Sequence, residues 1–345
     1  MPIHPDGQIR PVVSSILMTD HARLIVELSD GRPRTLAGLS QELGTHPEGI
    51  LAAFRELSDS GISVVRLEAN KYCLAHAIEP LDSGLIRESL PEQVRREVED
   101  LDVQQRVDST NARLMRISSH DVTGIRVCLA EMQTGGRGRR GREWLSPYAG
   151  GVYLSVRQHV VPGKRRLGAL SPLLALNLAD ALGELGARGL GVKWPNDLVH
   201  SGRKLGGILI ETRVHADQNV TVVCGVGVNY RFPPEWSSRT DQPIVDLHEI
   251  MPRNLVSRNR VAAVIIANVV DTVCGMASHG VRDLPVRWRI RDELVGKVVE
   301  LREGNGKTTV RGYSTGIDSS GRIVLQTERG LESFELGDVS LREAM

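Results

Sequence analysis

The sequence of 345 residues has few of the features that mark secreted, metal-binding or membrane proteins. Its four cysteines lie far apart, without a Cys-x-x-Cys pair, which argues against a disulfide framework and a zinc site and predicts reduced, mostly buried thiols. The net formal charge of +1 gives no overall attraction to nucleic acid or to a membrane surface. Because no apolar run reaches membrane-spanning length and no signal core opens the chain, we expect a cytoplasmic protein without a membrane partner.

The composition is that of a folded protein with more than one domain. With 41% hydrophobic and 25% charged residues, the chain can bury a core, which excludes wholesale disorder. The length predicts two or three domains. The first ten or so residues are expected to be disordered.

Apolar spacing predicts three helices in the first part of the chain, the third opened by a capping box between Thr45 and Glu48. Two strand-like runs follow, Ser63–Leu67 and Lys71–Ala75, joined by a short turn. Three helices and a hairpin of this size predict a winged helix-turn-helix domain over residues 1–80.

The charges of this segment weaken the case for DNA binding. Residues 1–80 contain seven Lys and Arg against ten Asp and Glu. A helix that enters the major groove usually brings Arg, Lys, Asn or Gln to the bases, whereas the third helix offers mainly His46 and Arg55. Two interpretations therefore stay open: a DNA-binding domain, or a winged helix with weak or lost DNA affinity that serves as a protein contact.

The rest of the chain divides by composition and pattern into three parts. Residues 81–104 are polar and strongly charged and are predicted to form a helical linker. Residues 105–290 alternate strand-like and helical runs, beginning with a helix that Ser109-Thr110-Asn111 would cap. Residues 291–345 contain four or five short strands, with turns predicted at residues 303–306, 318–321 and 328–330, which is typical of a small β-barrel.

The most distinctive stretch lies between residues 131 and 144, where four arginines alternate with four glycines. Glycines allow backbone N–H groups to approach a ligand closely, and guanidinium groups suit phosphate and carboxylate oxygens. The loop is therefore predicted to bind an anionic small molecule or nucleic acid. A nucleic-acid patch is disfavoured because the arginines lie between two predicted core strands, in a neutral chain, with few aromatic residues among them.

Two common nucleotide-binding motifs do not account for this loop. Gly136-x-Gly138-x-x-Gly141 matches the dinucleotide fingerprint, but no helix signal follows and no acidic residue occurs between Glu143 and Asp180. A P-loop is excluded because no Gly-Lys-Ser/Thr closes the motif.

Four motifs in this order, GRGRRGREW, VKWPNDL, RKLGGILIE and GVGVN, resemble those of the biotin protein ligases. With the N-terminal helices, the chain is similar to the bifunctional ligase/repressor members of that family. The resemblance implies an α+β protein with an N-terminal winged helix-turn-helix, a central mixed-sheet ligase domain like that of class II synthetases, and a C-terminal SH3-like β-barrel.

The resemblance also implies an activity and its partners. Biotin and ATP, with Mg²⁺, would form biotinyl-5′-AMP, and a lysine of the biotin carboxyl carrier protein of acetyl-CoA carboxylase would then accept the biotin. In the repressor role, biotinyl-AMP would act as corepressor and promote homodimerisation on operator DNA. The alternative is a biotin-binding DNA regulator without ligase activity.

Site residues follow from the same resemblance. Arg137 would bridge the biotin carboxylate and the α-phosphate, Lys204 would contact both, and Lys193 would be a second cation nearby. Asp197 would orient or deprotonate the acceptor amine, although an Asx-turn is the structural alternative. The other residues implied to bind biotin or the nucleotide are Ser109, Thr110, Asn111, Gln133, Gly136, Gly138, Arg139, Trp144 and Asn229.

Overall fold

The computed structural model describes residues 23–118, 124–160, 167–215, 219–251, 256–275, 283–302, 308–335 and 340–343. Contacts divide the chain into two compact units, Met1–Glu79 and Pro80–Met345. The disorder expected for the first ten residues falls outside the described residues.

The N-terminal unit contains the helices and the hairpin that the apolar pattern predicts. Its helices are α1 (described over residues 23–28), α2 (Leu36–Leu43) and α3 (Pro47–Asp59). Its strands are β1 (Arg34–Thr35), β2 (Val64–Leu67) and β3 (Lys71–Leu74), which form an antiparallel sheet in the order β1-β3-β2. Apolar side chains at helical spacing, such as Leu28, Leu39 and Phe54, form its buried core.

The capping box predicted between Thr45 and Glu48 is wrong. The N-cap of α3 is His46, whose side chain makes no capping hydrogen bond. Pro47 occupies the first helical position, where its fixed φ suits the first turn, so the cap falls on the residue before the proline.

The central part of the second unit is a seven-stranded mixed sheet flanked by helices. Its strands are β4 (Val98–Val107), β5 (Ile125–Gln133), β6 (Gly151–Val160), β7 (Leu190–Lys193), β8 (Asp197–His200), β9 (Arg203–Val214) and β10 (Val220–Asn229). The sheet order is β4-β5-β6-β10-β9-β8-β7; β4 and β5 are parallel and all other neighbours antiparallel.

Helices cover the two faces of this sheet unequally. The helices are α4 (Ser83–Ser89), α5 (Glu92–Glu97), α6 (Thr110–Arg116), α7 (Leu170–Glu184), α8 (Leu247–Ile250), α9 (Arg258–Gly275) and α10 (Leu284–Arg291). On β10, Val222 and Val226 point into the large core with α7 and α9, whereas Val223 points to the other face and packs against Leu114 of α6. The face that carries α6 is therefore only partly covered.

The linker predicted over residues 81–104 is also wrong. These residues form α4, α5 and most of β4, which pairs with β5. Ile86, Leu90, Val94 and Val98 recur at every fourth position and are all buried. One apolar residue per turn is enough to anchor the segment, although the charged residues between them dominate its composition.

The C-terminal part is an antiparallel sheet of five strands: β11 (Val298–Arg302), β12 (Thr308–Ile317), β13 (Ile323–Thr327), β14 (Gly330–Phe334) and β15 (Ser340–Glu343). The predicted turn before β13 is present, and Asp318 accepts hydrogen bonds from the N–H groups of Ser320 and Arg322. The turn predicted at residues 303–306 lies outside the described residues. The indole N–H of Trp194 donates to the carbonyl of Gly321 at 3.0 Å, which joins this sheet to the central motif.

The structure can be compared with two features that are scarce in the sequence, cysteines and long apolar runs. All four cysteines are free thiols: Cys128 and Cys224 are buried, Cys73 is half-buried and Cys274 is exposed, so the predicted burial holds for part of the set. Burial raises the pKa of both buried thiols to about 12. Over the described residues, no helix is long and apolar enough to cross a membrane.

Candidate functional site

A cavity of about 410 Å³ opens between the arginine–glycine loop and the partly covered face of the central sheet. The size is that of a small-molecule site. Of the residues predicted for the site, the following line this cavity: Ser109, Thr110, Asn111, Gln133, Arg137, Gly138, Arg139, Lys193, Asp197, Lys204, Asn229 and Trp144. Gly136 is the predicted residue that is not part of its wall.

The loop between β5 and β6 is a closed hairpin. The N–H of Gly138 donates to the carbonyl of Arg142 at 2.7 Å, and that of Trp144 donates to Gly136 at 2.9 Å. A Cβ on Gly136 would overlap the Trp144 carbonyl, so this glycine serves the close approach of the two hairpin arms. Arg140 at the tip has a φ of 62°, a left-handed conformation that is uncommon for arginine.

A hydrogen-bonded chain of polar side chains forms one end of the cavity. The Gln133 carbonyl oxygen accepts from the backbone N–H of Thr110 at 2.9 Å and from its hydroxyl at 3.2 Å. The Gln133 amide donates to the Ser146 hydroxyl at 2.9 Å, across the base of the hairpin. Both ends of this amide are therefore already paired, so Gln133 orients Thr110 and the hairpin base as well as facing the ligand space. Ser109 caps α6, as predicted.

Asn111 is fixed from several sides. It is 3% exposed; its carbonyl oxygen contacts the Ser155 hydroxyl at 2.5 Å, and its amide donates to Glu211 at 2.9 Å and to the Leu209 carbonyl at 3.3 Å. A Cβ on Gly225 would overlap the Asn111 amide, so β10 needs a glycine there.

The two cations expected to act on the reacting acids each face a carboxylate. The ammonium of Lys204 lies 2.8 Å from Asp197, with both side chains less than one-fifth exposed, and 5.3 Å from the centre of the Trp144 ring. The guanidinium of Arg137 lies 3.4 Å from Glu211. The cavity therefore brings together anion-binding side chains whose charges are balanced before a ligand arrives.

The KWPND segment places Lys193 and Asp197 opposite each other. They are register partners on β7 and β8. The turn between them is held by Asn196, whose N–H donates to the Lys193 carbonyl and whose amide donates to the Ile208 carbonyl. Asp197 itself pairs with Lys204, so its contact is an ion pair across neighbouring strands rather than an Asx-turn.

Asn229 lines the cavity and is also held by the backbone around it. It is 3% exposed, and its amide nitrogen donates to the backbone carbonyls of Lys204 and Val245, at 3.3 and 3.0 Å. Asn229 thus ties the Lys204 strand to the loop that follows β10.

That loop supplies cavity residues that the sequence did not indicate: Phe232, Arg239, Thr240, Asp241, Gln242 and Ile244. The Arg239 guanidinium stacks 4.0 Å from the centre of the buried Trp236 ring. Asp246 accepts from the N–H groups of Phe232 and Glu249, both at 2.8 Å. Such residues carry no periodic signal, because tertiary contacts rather than secondary structure place them.

The described residues contain no group of three or more His, Cys, Asp or Glu side chains that could hold a metal ion. The cavity nevertheless includes scattered carboxylates, such as Asp197 and Asp241.

Known proteins match both the central sheet and the C-terminal sheet. A model of the biotin/lipoate A/B protein ligase family matches residues 103–229, and one of the biotin protein ligase C-terminal domain matches residues 294–342. The chain is 30% identical over 322 residues to the bifunctional ligase/repressor BirA of Salmonella typhimurium, covering 93% of this chain and 97% of that protein.

Two further relatives match a smaller share of the chain. The biotin–[acetyl-CoA-carboxylase] ligase of Mycobacterium tuberculosis is 32% identical, over 69% of this chain and 88% of its own length. The solved structure of a biotin protein ligase from Aquifex aeolicus in complex with biotin and ATP superimposes with a TM-score of 0.58 at 25% identity. That match covers 72% of this chain and 100% of the Aquifex chain.

Proposed function

The chain belongs to the biotin protein ligase family, and we propose that it uses ATP to form biotinyl-5′-AMP and transfers the biotin to a lysine of the biotin carboxyl carrier protein of acetyl-CoA carboxylase. The observation that carries this proposal is that Arg137 of the glycine-rich hairpin lines the same cavity as Lys193 and Lys204. The bifunctional ligase/repressor and carboxylase-ligase relatives support the same activity.

The chemistry explains why cations must converge there. A carboxylic acid does not acylate an amine at neutral pH, so ATP first converts the biotin carboxylate into a mixed anhydride with AMP. That step brings two anions together, and preorganised positive groups offset their repulsion. Arg137 and Lys204 are the groups proposed to hold the carboxylate and the α-phosphate.

Each polar cluster of the cavity then has a proposed task. The Thr110–Gln133–Ser146 chain faces the biotin end, and the loop after β10 faces the nucleotide end. The Arg137–Arg139 part of the hairpin covers the reacting centre and shelters the acyl adenylate from hydrolysis. When the biotin carboxylate or the α-phosphate pairs with Lys204 in place of Asp197, the Asp197 carboxylate becomes available to receive a proton from the acceptor lysine.

Mg²⁺ is proposed to enter with the ATP phosphates. It usually keeps several waters and uses one or two carboxylates rather than a cage of protein ligands, so the scattered carboxylates of the cavity suit it. It would neutralise phosphate charge in the first step.

The direct test is biotin-dependent exchange of labelled pyrophosphate into ATP. Lys204→Ala and Arg137→Ala should each lower exchange by about two to three orders of magnitude, because each removes a preorganised charge. Arg203→Ala is the matched control: Arg203 precedes Lys204 but pairs with Glu249 outside the cavity. A wild-type protein that never accumulates biotinyl-AMP would refute the ligase proposal.

Transcriptional repression is proposed as a second role. It is supported by the relative over 93% of the chain and by the order of helices and hairpin in the N-terminal unit, which we assign as a winged helix-turn-helix. Biotinyl-AMP would promote homodimerisation on the operator. A gel-shift titration at low salt, with and without biotin and ATP, tests this role; no shift under either condition would end it.

One labelling experiment separates the ligase from a biotin-binding regulator that does not catalyse the transfer. Protein, ATP, Mg²⁺, labelled biotin and a carrier domain are combined, and the label is followed on the carrier. Labelled carrier supports the ligase; bound biotin with an unlabelled carrier supports the regulator. The catalytic part, predicted over residues 105–290, is proposed to begin earlier, because α4, α5 and β4 belong to the central sheet and its helical cover. Residues 291–345 are proposed to form an SH3-like barrel.

A further inference from the structure

Glu211 lies behind the cavity and holds two residues of its wall. It belongs to β9, opposite Val223 of β10, and is not among the described residues that line the cavity. One carboxylate oxygen accepts from the Asn111 amide at 2.9 Å, and the other lies 3.4 Å from the Arg137 guanidinium. We infer that Glu211 is a positioning residue, which acts through Arg137 to fix where the guanidinium meets the reacting acids. This inference rests on the proposed ligase function.

The carboxylate is a fixed point because its other partner is fixed. Asn111 is buried and also bonds the Leu209 carbonyl and the Ser155 hydroxyl. Glu211 is therefore anchored from the sheet side. The Arg137 side chain comes from the hairpin, whose backbone bonds close its arms but leave the guanidinium 47% exposed. The ion pair with Glu211 thus connects the charged end of Arg137 to the sheet.

A guanidinium held at one edge is preorganised to bind a ligand through its other donors. A free arginine side chain loses rotamer entropy when it is fixed, and an arginine that is already held loses less on binding. The contact with Glu211 uses Nη2, so the Nε and Nη1 donors take no part in it and are the ones we assign to the carboxylate or phosphate. Positioning of this kind holds the positive charge of Arg137 beside the atoms on which negative charge develops in the transition state.

A carboxylate beside a cation can also have the opposite effect. If Glu211 mainly neutralised Arg137, its removal would make the cavity more attractive to anions. The long separation of 3.4 Å and the exposure of the pair favour positioning, because such a contact is weak enough for Arg137 to engage a ligand while remaining tethered. The sign of the effect separates the two roles.

The experiment is a double-mutant cycle of Glu211→Gln and Arg137→Ala, read by calorimetric binding of a non-hydrolysable sulfamoyl analogue of biotinyl-AMP. Binding can be measured in the Arg137→Ala background even when catalysis cannot. We expect Glu211→Gln to weaken binding about tenfold with Arg137 present and less than about twofold without it. In pyrophosphate exchange, the kcat of Glu211→Gln should fall about tenfold with little change in the KM for biotin.

Two results would overturn the inference. An equal loss in both backgrounds would mean that Glu211 acts through Asn111 alone, and tighter binding by Glu211→Gln would mean that the carboxylate competes with the ligand. A wild-type protein that neither exchanges pyrophosphate nor binds the analogue would instead refute the proposed function, which is a distinguishable failure.

The chain provides a closely matched control. Asp102 and Arg113 form an ion pair at 2.9 Å with side-chain exposures of 29% and 45%, against 29% and 47% for Glu211 and Arg137, but neither residue lines the cavity. Asp102→Asn should leave binding and exchange unchanged. In Glu211→Gln, Asn111 keeps its hydrogen bond to the Leu209 carbonyl, so the variant should fold. Thermal unfolding checks this. Glu211→Asp keeps the charge and should recover part of the loss; it replaces Glu211→Gln in the cycle if that variant unfolds.

Discussion

At the scale of single residues, Gly225 shows how a missing side chain shapes the cavity. It lies in the middle of β10, where a Cβ would overlap the amide of Asn111. Asn111 in turn meets the Ser155 hydroxyl, which also contacts Thr110. One added methyl group would therefore disturb the polar end of the cavity through three side chains.

We predict that Gly225→Ala destabilises the protein by about 1–3 kcal/mol, as overpacking of a fixed site does, and weakens biotin binding. Gly183→Ala is the comparison: Gly183 lies in α7, and apart from its chain neighbours and the backbone of its own helix no atom lies within 4 Å of the place that a methyl group would take. Alanine there should stabilise by about 0.5–1 kcal/mol. Thermal unfolding and biotin calorimetry measure both variants. Normal biotin binding by Gly225→Ala would contradict the prediction.

The site residues divide into those that sequence could indicate and those it could not. Arg137, Lys204 and their neighbours belong to contiguous motifs rich in glycine and charge, and the family resemblance pointed to them. Glu211 ends one of those motifs, but its partners lie on two other elements. Contacts of that kind become visible only after the sheet has been assembled.

At the scale of elements, the segment from α4 to β4 shows how few apolar residues are needed to attach a charged segment to the core. Ile86 is fully buried, whereas its neighbour Leu85 is 53% exposed. α4 packs against α9. Composition predicts a linker here because the many charged residues of the segment outnumber the few apolar residues that face the core.

Ile86→Ala should destabilise the protein by about 2–4 kcal/mol, because it leaves a cavity in the core. Leu85→Ala removes a similar side chain from the surface and should change stability by less than about 0.5 kcal/mol. Chemical denaturation of the two variants gives the comparison. Equal stability of both would mean that the segment is only loosely attached.

The junction of α10 with β7 is predicted to make stability depend on pH. Burial raises the pKa of Asp292 from 3.8 to about 6, against the opposing effect of the hydrogen bond from the Leu294 N–H. The folded state thus holds this proton more tightly than the unfolded state. The contribution of Asp292 to stability is full below about pH 4 and is lost as the pH rises through 6.

Asp292→Asn cannot ionise, so its stability relative to wild type should rise by about 1–3 kcal/mol between pH 4 and pH 7. Melting temperatures of both proteins across this range test the prediction, and the difference between them cancels the other titrating groups. A constant difference at all pH values would show that the carboxyl group titrates normally.

At the scale of the whole molecule, the boundary at Glu79 and Pro80 separates two kinds of task. Every described residue that lines the cavity lies in the second unit, between Ser109 and Ile244. The first unit has its own buried core and its own sheet. Ligation is therefore expected to reside in the second unit alone.

A chain that begins at Pro80 should fold and retain biotin-dependent pyrophosphate exchange, while losing any gel shift of operator DNA. Circular dichroism establishes folding, and the exchange assay then measures activity. A truncated chain that is folded but inactive would show that the first unit contributes to catalysis.

The bond from the Trp194 indole to Gly321 limits how evolution can rearrange such a protein. Gly321 approaches Ala169 so closely that a Cβ would overlap it, and Trp194 belongs to the segment that carries Lys193 and Asp197. A gene truncated before this turn would leave a buried tryptophan donor without its acceptor, next to the reacting groups. The C-terminal sheet and the central motif are therefore expected to be kept or lost together.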